Sequence, residues 1–210
     1  MLFVWCKVSF DEKRSHGSAV CETVYFFVEF VCVFPWKCVS LNNQNRGKIM
    51  DGILRKLPIG IQTFEKLREG DYLYVDKTAL VWRIASTETP YFLSRPRRFG
   101  KSLLLSTFEA YFEGKKGLFE GLVIADMEKE WKTYPVFHLD LNAEKYDSPQ
   151  ALVEILSRQL TQWELKYGKG EDEETLSGRF AGVIRRACEQ SGRGVVVLVD
   201  EYDKPLLQAL

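Results

Sequence analysis

One stretch of the sequence, residues 91–105, constrains this chain more than any other, because it joins three local patterns in a fixed order. An apolar run at 91–93 predicts a strand, a basic loop follows, and Gly100-Lys-Ser102 begins an apolar-periodic helix. Backbone N–H groups at such a helix start point towards an anion, which the helix dipole also favours. We therefore predict that Gly100, Lys101 and Ser102 bind phosphate, with Lys101 on the β/γ-phosphates and the Ser102 hydroxyl on Mg²⁺.

The loop itself departs from the phosphate-loop pattern G-x-x-x-x-G-K-[ST]. Arg95 stands where the first glycine would fall, and Pro96 has no backbone N–H to donate. Arg97 and Arg98 are candidates to contact phosphate instead, because guanidinium groups bind phosphate oxygens with paired hydrogen bonds. The alternative interpretation is an ordinary helix start beside a solvated basic patch.

A second candidate element lies near the C-terminal end of the sequence. The β-branched run 195–199 is typical of a strand buried on both faces of a parallel sheet, and Asp200 and Glu201 follow it directly. Ligands of α/β proteins bind at the carboxyl ends of such strands. Asp200 is thus a candidate Mg²⁺ ligand acting through water, and Glu201 is a candidate catalytic residue that orients or activates the attacking water. With Lys101 and Ser102 they form a Walker A/Walker B pair, which predicts nucleotide binding.

The remaining periodicity predicts helices alternating with strands, and therefore an α/β fold with a parallel sheet flanked by helices. We predict strands at 72–76, 91–93, 136–142 and 195–199. We predict helices at 64–69 and 77–84, from 101 to a stop at Gly114, and at 149–167 and 176–191. His138 is interpreted as a structural residue of its strand, with a catalytic role as the alternative. Asp76 is interpreted as a helix cap, with contact to a nucleotide base or ribose as the alternative.

Composition excludes little. Lys+Arg and Asp+Glu number 29 each, so net charge favours neither nucleic acid nor membrane as a partner. The five cysteines include no C-x-x-C pair, which argues against a zinc site. Their odd number, without a signal peptide, argues against a secreted disulfide framework. We therefore expect a reduced, cytoplasmic protein.

Residues 1–49 differ in texture from the rest, with short apolar runs broken by charges and a polar linker at 41–47. Neither apolar run is long enough to span a bilayer. We interpret 1–49 as a non-domain leader, non-native and upstream of a start at Met50, and 50–210 as the domain. A membrane-associating arm is the alternative for the leader.

Several motifs resemble those of the predicted AAA-ATPase-like proteins, which are common in gut bacteria. The motifs are Leu57-Pro-Ile-Gly-Ile61, Phe64-Glu-Lys-Leu67, Tyr74-Val-Asp-Lys-Thr78, Arg95-Pro-Arg-Arg-Phe-Gly-Lys-Ser102 and Val199-Asp-Glu-Tyr-Asp203. The resemblance covers about 50–210 and implies a P-loop NTPase domain that binds ATP and Mg²⁺ and hydrolyses ATP. It implies that Gly100, Lys101 and Ser102 hold phosphate and Mg²⁺, with Asp200 and Glu201 as the Walker B and catalytic acids.

The resemblance also implies that the domain is incomplete at its C-terminus. Additional-strand P-loop ATPases place a later strand between the Walker A and Walker B strands, so we expect a gap with exposed edges there. Many relatives carry a C-terminal PD-(D/E)XK nuclease-like domain, and we expect none of it within residues 1–210. A non-catalytic nucleotide-dependent switch or interaction module, a non-functional gene fragment and a nucleic-acid-binding protein stay open as alternatives, and so does a homo-oligomer.

Overall fold

The computed structural model of the chain describes residues 55–87, 90–94, 99–142, 146, 148–171 and 173–205, together with the backbone of 2–8. The strands are β1 (Leu2–Val8), β2 (Tyr91–Ser94), β3 (Val136–Asp140) and β4 (Val195–Asp200). The helices are α1 (Phe64–Glu69), α2 (Thr78–Ala85), α3 (Lys101–Phe112), α4 (Val123–Met127), α5 (Pro149–Tyr167) and α6 (Leu176–Ser191). A 3₁₀ turn at Lys116–Phe119 joins α3 to α4. Helices and strands alternate from β2 onwards, which confirms the predicted α/β class.

The four strands form one sheet in the order β2-β1-β4-β3. β3 and β4 are parallel, whereas β1 is antiparallel to both of its neighbours, β2 and β4. The predicted parallel arrangement is confirmed for β3 and β4, and β2 runs in the same direction, whereas β1 runs against all three. β1 also occupies the position between β2 and β4 where a gap was predicted. It comes from the segment interpreted as a leader, of which residues 9–49 lie outside the described part of the chain.

The central strand β4 explains why the sheet is covered on both sides. All six of its residues are buried, and alternate side chains point to opposite faces. Val196 and Leu198 join the core beneath α3, in what we call the α3 face of the sheet. Val195, Val197 and Val199 join the core beneath α5 and α6, the α5–α6 face. A continuous apolar strand is what a two-sided core requires.

The two long helices begin where the sequence predicts. The Ser148 side chain accepts a hydrogen bond from the Ala151 N–H at 3.3 Å, and Pro149 takes the first position of α5. Thr175 caps α6 in the same way through the Gly178 N–H at 3.1 Å. These caps satisfy backbone donors that the first helical turn leaves unpaired. Within the described residues, no helix combines the length and apolar character that a membrane crossing would need.

The strand predicted at 72–76 is wrong. Tyr72 makes one isolated parallel bridge to Lys56, and the residues after it join no sheet. The physical reason lies in Asp76, whose Oδ1 accepts hydrogen bonds from the Thr78 N–H at 2.8 Å and the Thr78 hydroxyl at 2.6 Å. These bonds turn the backbone into α2 instead of allowing it to continue as an extended strand.

Candidate functional site

The start of α3 has the backbone geometry that a phosphate-binding helix start needs. Gly100 precedes the helix in the left-handed conformation, with φ 74° and ψ 29°. Among the described residues, no atom outside its immediate neighbours lies within 4 Å of where a Cβ would be, so the backbone angle is the reason for a glycine here. Lys101 is the first helical residue and is buried, whereas Ser102 is partly buried. The N–H groups of this first turn are therefore presented at the end of the helix.

Two of the predicted phosphate contacts are not tested by the structure. Arg97 and Arg98 lie within 95–98, outside the described residues. Their contacts with phosphate remain predictions.

The other half of the site lies at the carboxyl end of β4. Asp200 is 6% exposed, and its Oδ1 is buried without a hydrogen-bond partner among the described residues. Its backbone carbonyl accepts a hydrogen bond from the Leu141 N–H at 3.1 Å, which holds the strand end in place. Glu201 follows in the left-handed region, with φ 57°, and is also buried. A non-glycine residue with this backbone angle is strained, and such strain clusters at functional sites.

The charge of Lys101 at the start of α3 acts on Glu201 at the end of β4. Burial raises the pKa of Glu201, and the negative charges of Asp200 and Asp203 raise it further. The positive charge of Lys101 acts on the same carboxyl group in the opposite direction. The charges of Lys101 and Asp200 therefore both act on the Glu201 carboxyl group.

The residues present suit Mg²⁺ bound together with a phosphate ligand. No cluster of three or more His, Cys, Asp and Glu side chains able to hold a metal occurs in the described ranges. Mg²⁺ does not need one, since it commonly binds through one or two protein oxygens, several waters and substrate phosphates. The carboxylate of Asp200 and the hydroxyl of Ser102 are the groups that this arrangement would use.

Beside these residues lies an interaction that the motifs do not indicate. The imidazole Nδ1 of His138, on β3, is 3.1 Å from Oε2 of Glu109 on α3. Burial acts to lower the pKa of His138, but the hydrogen bond to Glu109 and the charges of Glu109, Asp140 and Asp200 outweigh it, so the pKa is raised. A signal for Glu109 was available in the sequence, because it falls eight residues after Lys101 and so on the same side of the helix.

Asp76 has a structural role that favours the capping interpretation. Besides its bonds to Thr78, its Oδ2 accepts a hydrogen bond from the Val123 N–H at 2.7 Å. The Thr78 hydroxyl accepts a further one from the Ile124 N–H at 3.1 Å. Both carboxylate oxygens of Asp76 therefore join the start of α2 to the start of α4.

Comparison with known proteins gives two matches. The family model described as "Predicted AAA-ATPase" matches residues 58–210. The curated "Uncharacterized protein in vnfD 5'region" of Azotobacter chroococcum mcd 1 is 45% identical over 157 residues, which are 74% of this chain and 30% of that protein. This chain therefore spans about a third of the length of that relative, and no solved structure matches it. The matched region includes β2, α3 and β4, and the chain belongs to the predicted AAA-ATPase family.

Proposed function

We propose that this chain is the nucleotide-binding part of a P-loop ATPase, which binds Mg-ATP between the start of α3 and the end of β4. The proposal is carried by two buried residues: a lysine at a helix start, and an aspartate at a strand end whose Oδ1 has no partner among the described residues. Lys101 follows a left-handed glycine, and the charge of Lys101 reaches Glu201. Membership of the predicted AAA-ATPase family supports the same activity.

Each residue has a distinct role in this proposal. The N–H groups at the start of α3 and the ammonium group of Lys101 bind the β/γ-phosphates. The hydroxyl of Ser102 and the carboxylate of Asp200 hold Mg²⁺, the latter through water, and Arg97 and Arg98 supplement the phosphate contacts. When bound, Mg²⁺ supplies positive charge that neutralises the phosphate oxygens.

Glu201 is the proposed catalytic residue for hydrolysis. Its position directly after Asp200 places a second carboxylate at the same strand end. There it would orient the attacking water and accept its proton as the water's oxygen bonds to the γ-phosphorus and the β–γ bridging bond breaks. Because the chain spans 30% of its curated relative, turnover is proposed for the whole ATPase and nucleotide binding for the chain itself.

Equilibrium binding of a fluorescent ATP analogue with Mg²⁺ tests the binding step. We expect Lys101→Ala to weaken binding by about 10- to 100-fold, because a lost hydrogen bond between charged groups costs about 1.5–3 kcal/mol. Lys116→Ala is the matched control, since this exposed lysine lies beyond the opposite end of α3 and should leave affinity unchanged. Equal affinity in wild type and Lys101→Ala would contradict the proposed site.

Phosphate release from the full-length ATPase tests the hydrolysis step. Glu201→Gln should retain Mg-ATP binding and slow turnover by about 100-fold or more, the usual contribution of a positioned general base. A wild-type protein that binds Mg-ATP and releases no phosphate would contradict hydrolysis and favour a nucleotide-dependent switch.

A further inference from the structure

The helix that begins the candidate site carries a carboxylate on its sheet-facing side. Lys101, Leu105 and Glu109 recur at intervals of four residues and therefore share one side of α3. Lys101 and Leu105 are buried against the sheet, and Glu109 is partly buried. At 1.5 Å of rise per residue, Glu109 lies about 12 Å along the helix from Lys101.

That carboxylate holds one specific partner, the imidazole of His138. A carboxylate accepts hydrogen bonds, so the 3.1 Å contact with Glu109 Oε2 assigns the hydrogen to Nδ1 of His138. The other ring nitrogen, Nε2, is then available on the far side of the ring. It is buried and has no hydrogen-bond partner in the part of the chain that the structure describes. Buried polar atoms are normally paired, so this exception requires an explanation.

The neighbouring strand β4 also carries a buried polar atom without a partner among the described residues, Oδ1 of Asp200. His138 of β3 pairs with Leu198 of β4, and Asp140 pairs with Asp200, so His138 and Asp200 lie on the same face of the sheet. The strand spacing and the rise per residue place the two backbone positions about 8 Å apart. Asp200 Oδ1 is buried and, within the described residues, unpaired as well. A histidine and an aspartate side chain at this backbone separation can meet through a single water.

We propose that His138, held in place by Glu109, is a positioning residue for Asp200, and that His138 Nε2 and Asp200 Oδ1 hold one water between them. This inference rests on the proposed function, because its role is to orient the Asp200 carboxylate towards the metal of Mg-ATP. The arrangement works with either form of the imidazole. The water donates one hydrogen to Nε2 and one to Asp200 when the ring is neutral. It accepts from Nε2 and donates to Asp200 when the ring is protonated.

Two substitutions separate this role from a merely structural one. In His138→Asn the side-chain amide lies near the position of Nδ1, so the contact with Glu109 is retained and the group at Nε2 is removed. In His138→Gln the amide lies near the position of Nε2, so the group facing Asp200 is retained and the contact with Glu109 is lost. A structural role would be preserved by asparagine, whereas the proposed role would be preserved by glutamine.

The measurement is the Mg²⁺ concentration that gives half-maximal binding of a fluorescent ATP analogue to the 210-residue chain. We expect His138→Asn to raise this concentration by about tenfold, the low end of the effect of removing a group that orients a metal ligand. His138→Gln should stay within about twofold of wild type. Thermal unfolding without nucleotide monitors folding of each variant, and Glu109→Gln, which retains an acceptor for Nδ1, should resemble wild type in both measurements.

Each outcome decides between the two proposals. If wild type and both His138 variants need the same Mg²⁺ concentration, the positioning role is wrong and the proposed function stands. The role is also wrong if glutamine shows the larger loss and asparagine the smaller. If the wild-type chain binds no Mg-nucleotide at all, the proposed function fails and this inference fails with it.

Discussion

The two faces of the sheet differ in how completely their buried charged and polar groups are hydrogen-bonded. On the α5–α6 face, the Glu164 carboxylate binds Arg179 with two hydrogen bonds of 2.7 Å, and Glu173 binds Arg186 with bonds of 2.6 and 2.9 Å. On the α3 face, Asp200 and His138 each keep a buried polar atom that has no partner in the described ranges. Both faces bury charged groups, but among the described residues the α3 face leaves one atom of Asp200 and one atom of His138 unpaired.

The pKa values follow the same division. The hydrogen bond from Arg179 lowers the pKa of Glu164, and the hydrogen bonds from Arg186 lower that of Glu173. Burial and the neighbouring carboxylates raise the pKa of Glu201. Breaking a buried ion pair is costly, and an unpaired buried charge costs stability unless a ligand compensates it. We therefore interpret the α5–α6 face as the scaffold and propose that the α3 face accommodates the Mg²⁺ of Mg-ATP.

The largest predicted effect is the loss of an ion pair on the α5–α6 face. Arg179→Ala should destabilise the chain by about 3–5 kcal/mol, because it leaves the Glu164 carboxylate buried without its cation. It also removes hydrogen bonds to the Ser157 and Thr161 hydroxyls. Urea unfolding measures the loss. Arg185→Ala on the same helix is the control and should cost less than about 1 kcal/mol, since Arg185 is largely exposed.

A smaller loss should follow from adding one methyl group to α6. A Cβ on Gly182 would lie 1.6 Å from Glu173 Oε1, so alanine must displace that carboxylate from Arg186. Alanine gains about 1 kcal/mol in helix propensity, but disrupting the ion pair costs more, so we expect a net loss of about 2 kcal/mol.

A double-mutant cycle sharpens this prediction. Once Glu173→Ala has removed the carboxylate, Gly182→Ala should become stabilising in urea unfolding. If Gly182→Ala destabilises equally in both backgrounds, contact with Glu173 is not the reason why glycine is required.

The smallest effect is a gain in stability on the α3 face. Glu201→Gln should stabilise the nucleotide-free chain at pH 7 by about 0.5–1 kcal/mol, because it removes a charge that its surroundings disfavour.

The contribution of Glu201 to the stability of the chain also depends on pH. A raised folded-state pKa gives stability that is present below the ordinary glutamate value of 4.5 and is lost as the pH rises through the folded value. Glu201→Gln should flatten that decline.

Glu164→Gln should change how stability declines at acidic pH. Its folded-state pKa is lowered, so its contribution is present above 4.5 and is lost as the pH falls through the folded value. Urea unfolding between about pH 3 and pH 8 measures both slopes. Equal profiles for the two variants would contradict the contrast between the faces.

Much of the fold could be predicted from local patterns. Helical periodicity located α3, α5 and α6, and alternation or continuous apolar runs located β3 and β4. The pairing of β1 between β2 and β4 could not be predicted, because it joins residues far apart in the chain and leaves no local pattern. The predicted strand at 72–76 failed for a related reason: an extended-looking segment becomes a strand only where a neighbour pairs with it.

The candidate site divides in the same way. The motifs select Gly100, Lys101 and Ser102 as candidates at one element and Asp200 and Glu201 at another. The structure places the first group at the start of α3 and the second at the end of β4, and their binding roles remain predictions. The Glu109–His138 contact depends on how α3 lies across β3, which is a property of tertiary packing. Its two residues are 29 positions apart, and neither belongs to a motif.

Thermal unfolding with and without Mg-ATP tests the central claim, that the α3 face is the ligand-binding face, most directly. A ligand that binds the folded state alone stabilises it by about 2.7 kcal/mol at a hundredfold excess over Kd. We predict this stabilisation for wild type and for Arg185→Ala on the α5–α6 face, and its loss in Lys101→Ala. The absence of any stabilisation in wild type, or its persistence in Lys101→Ala, would contradict the claim.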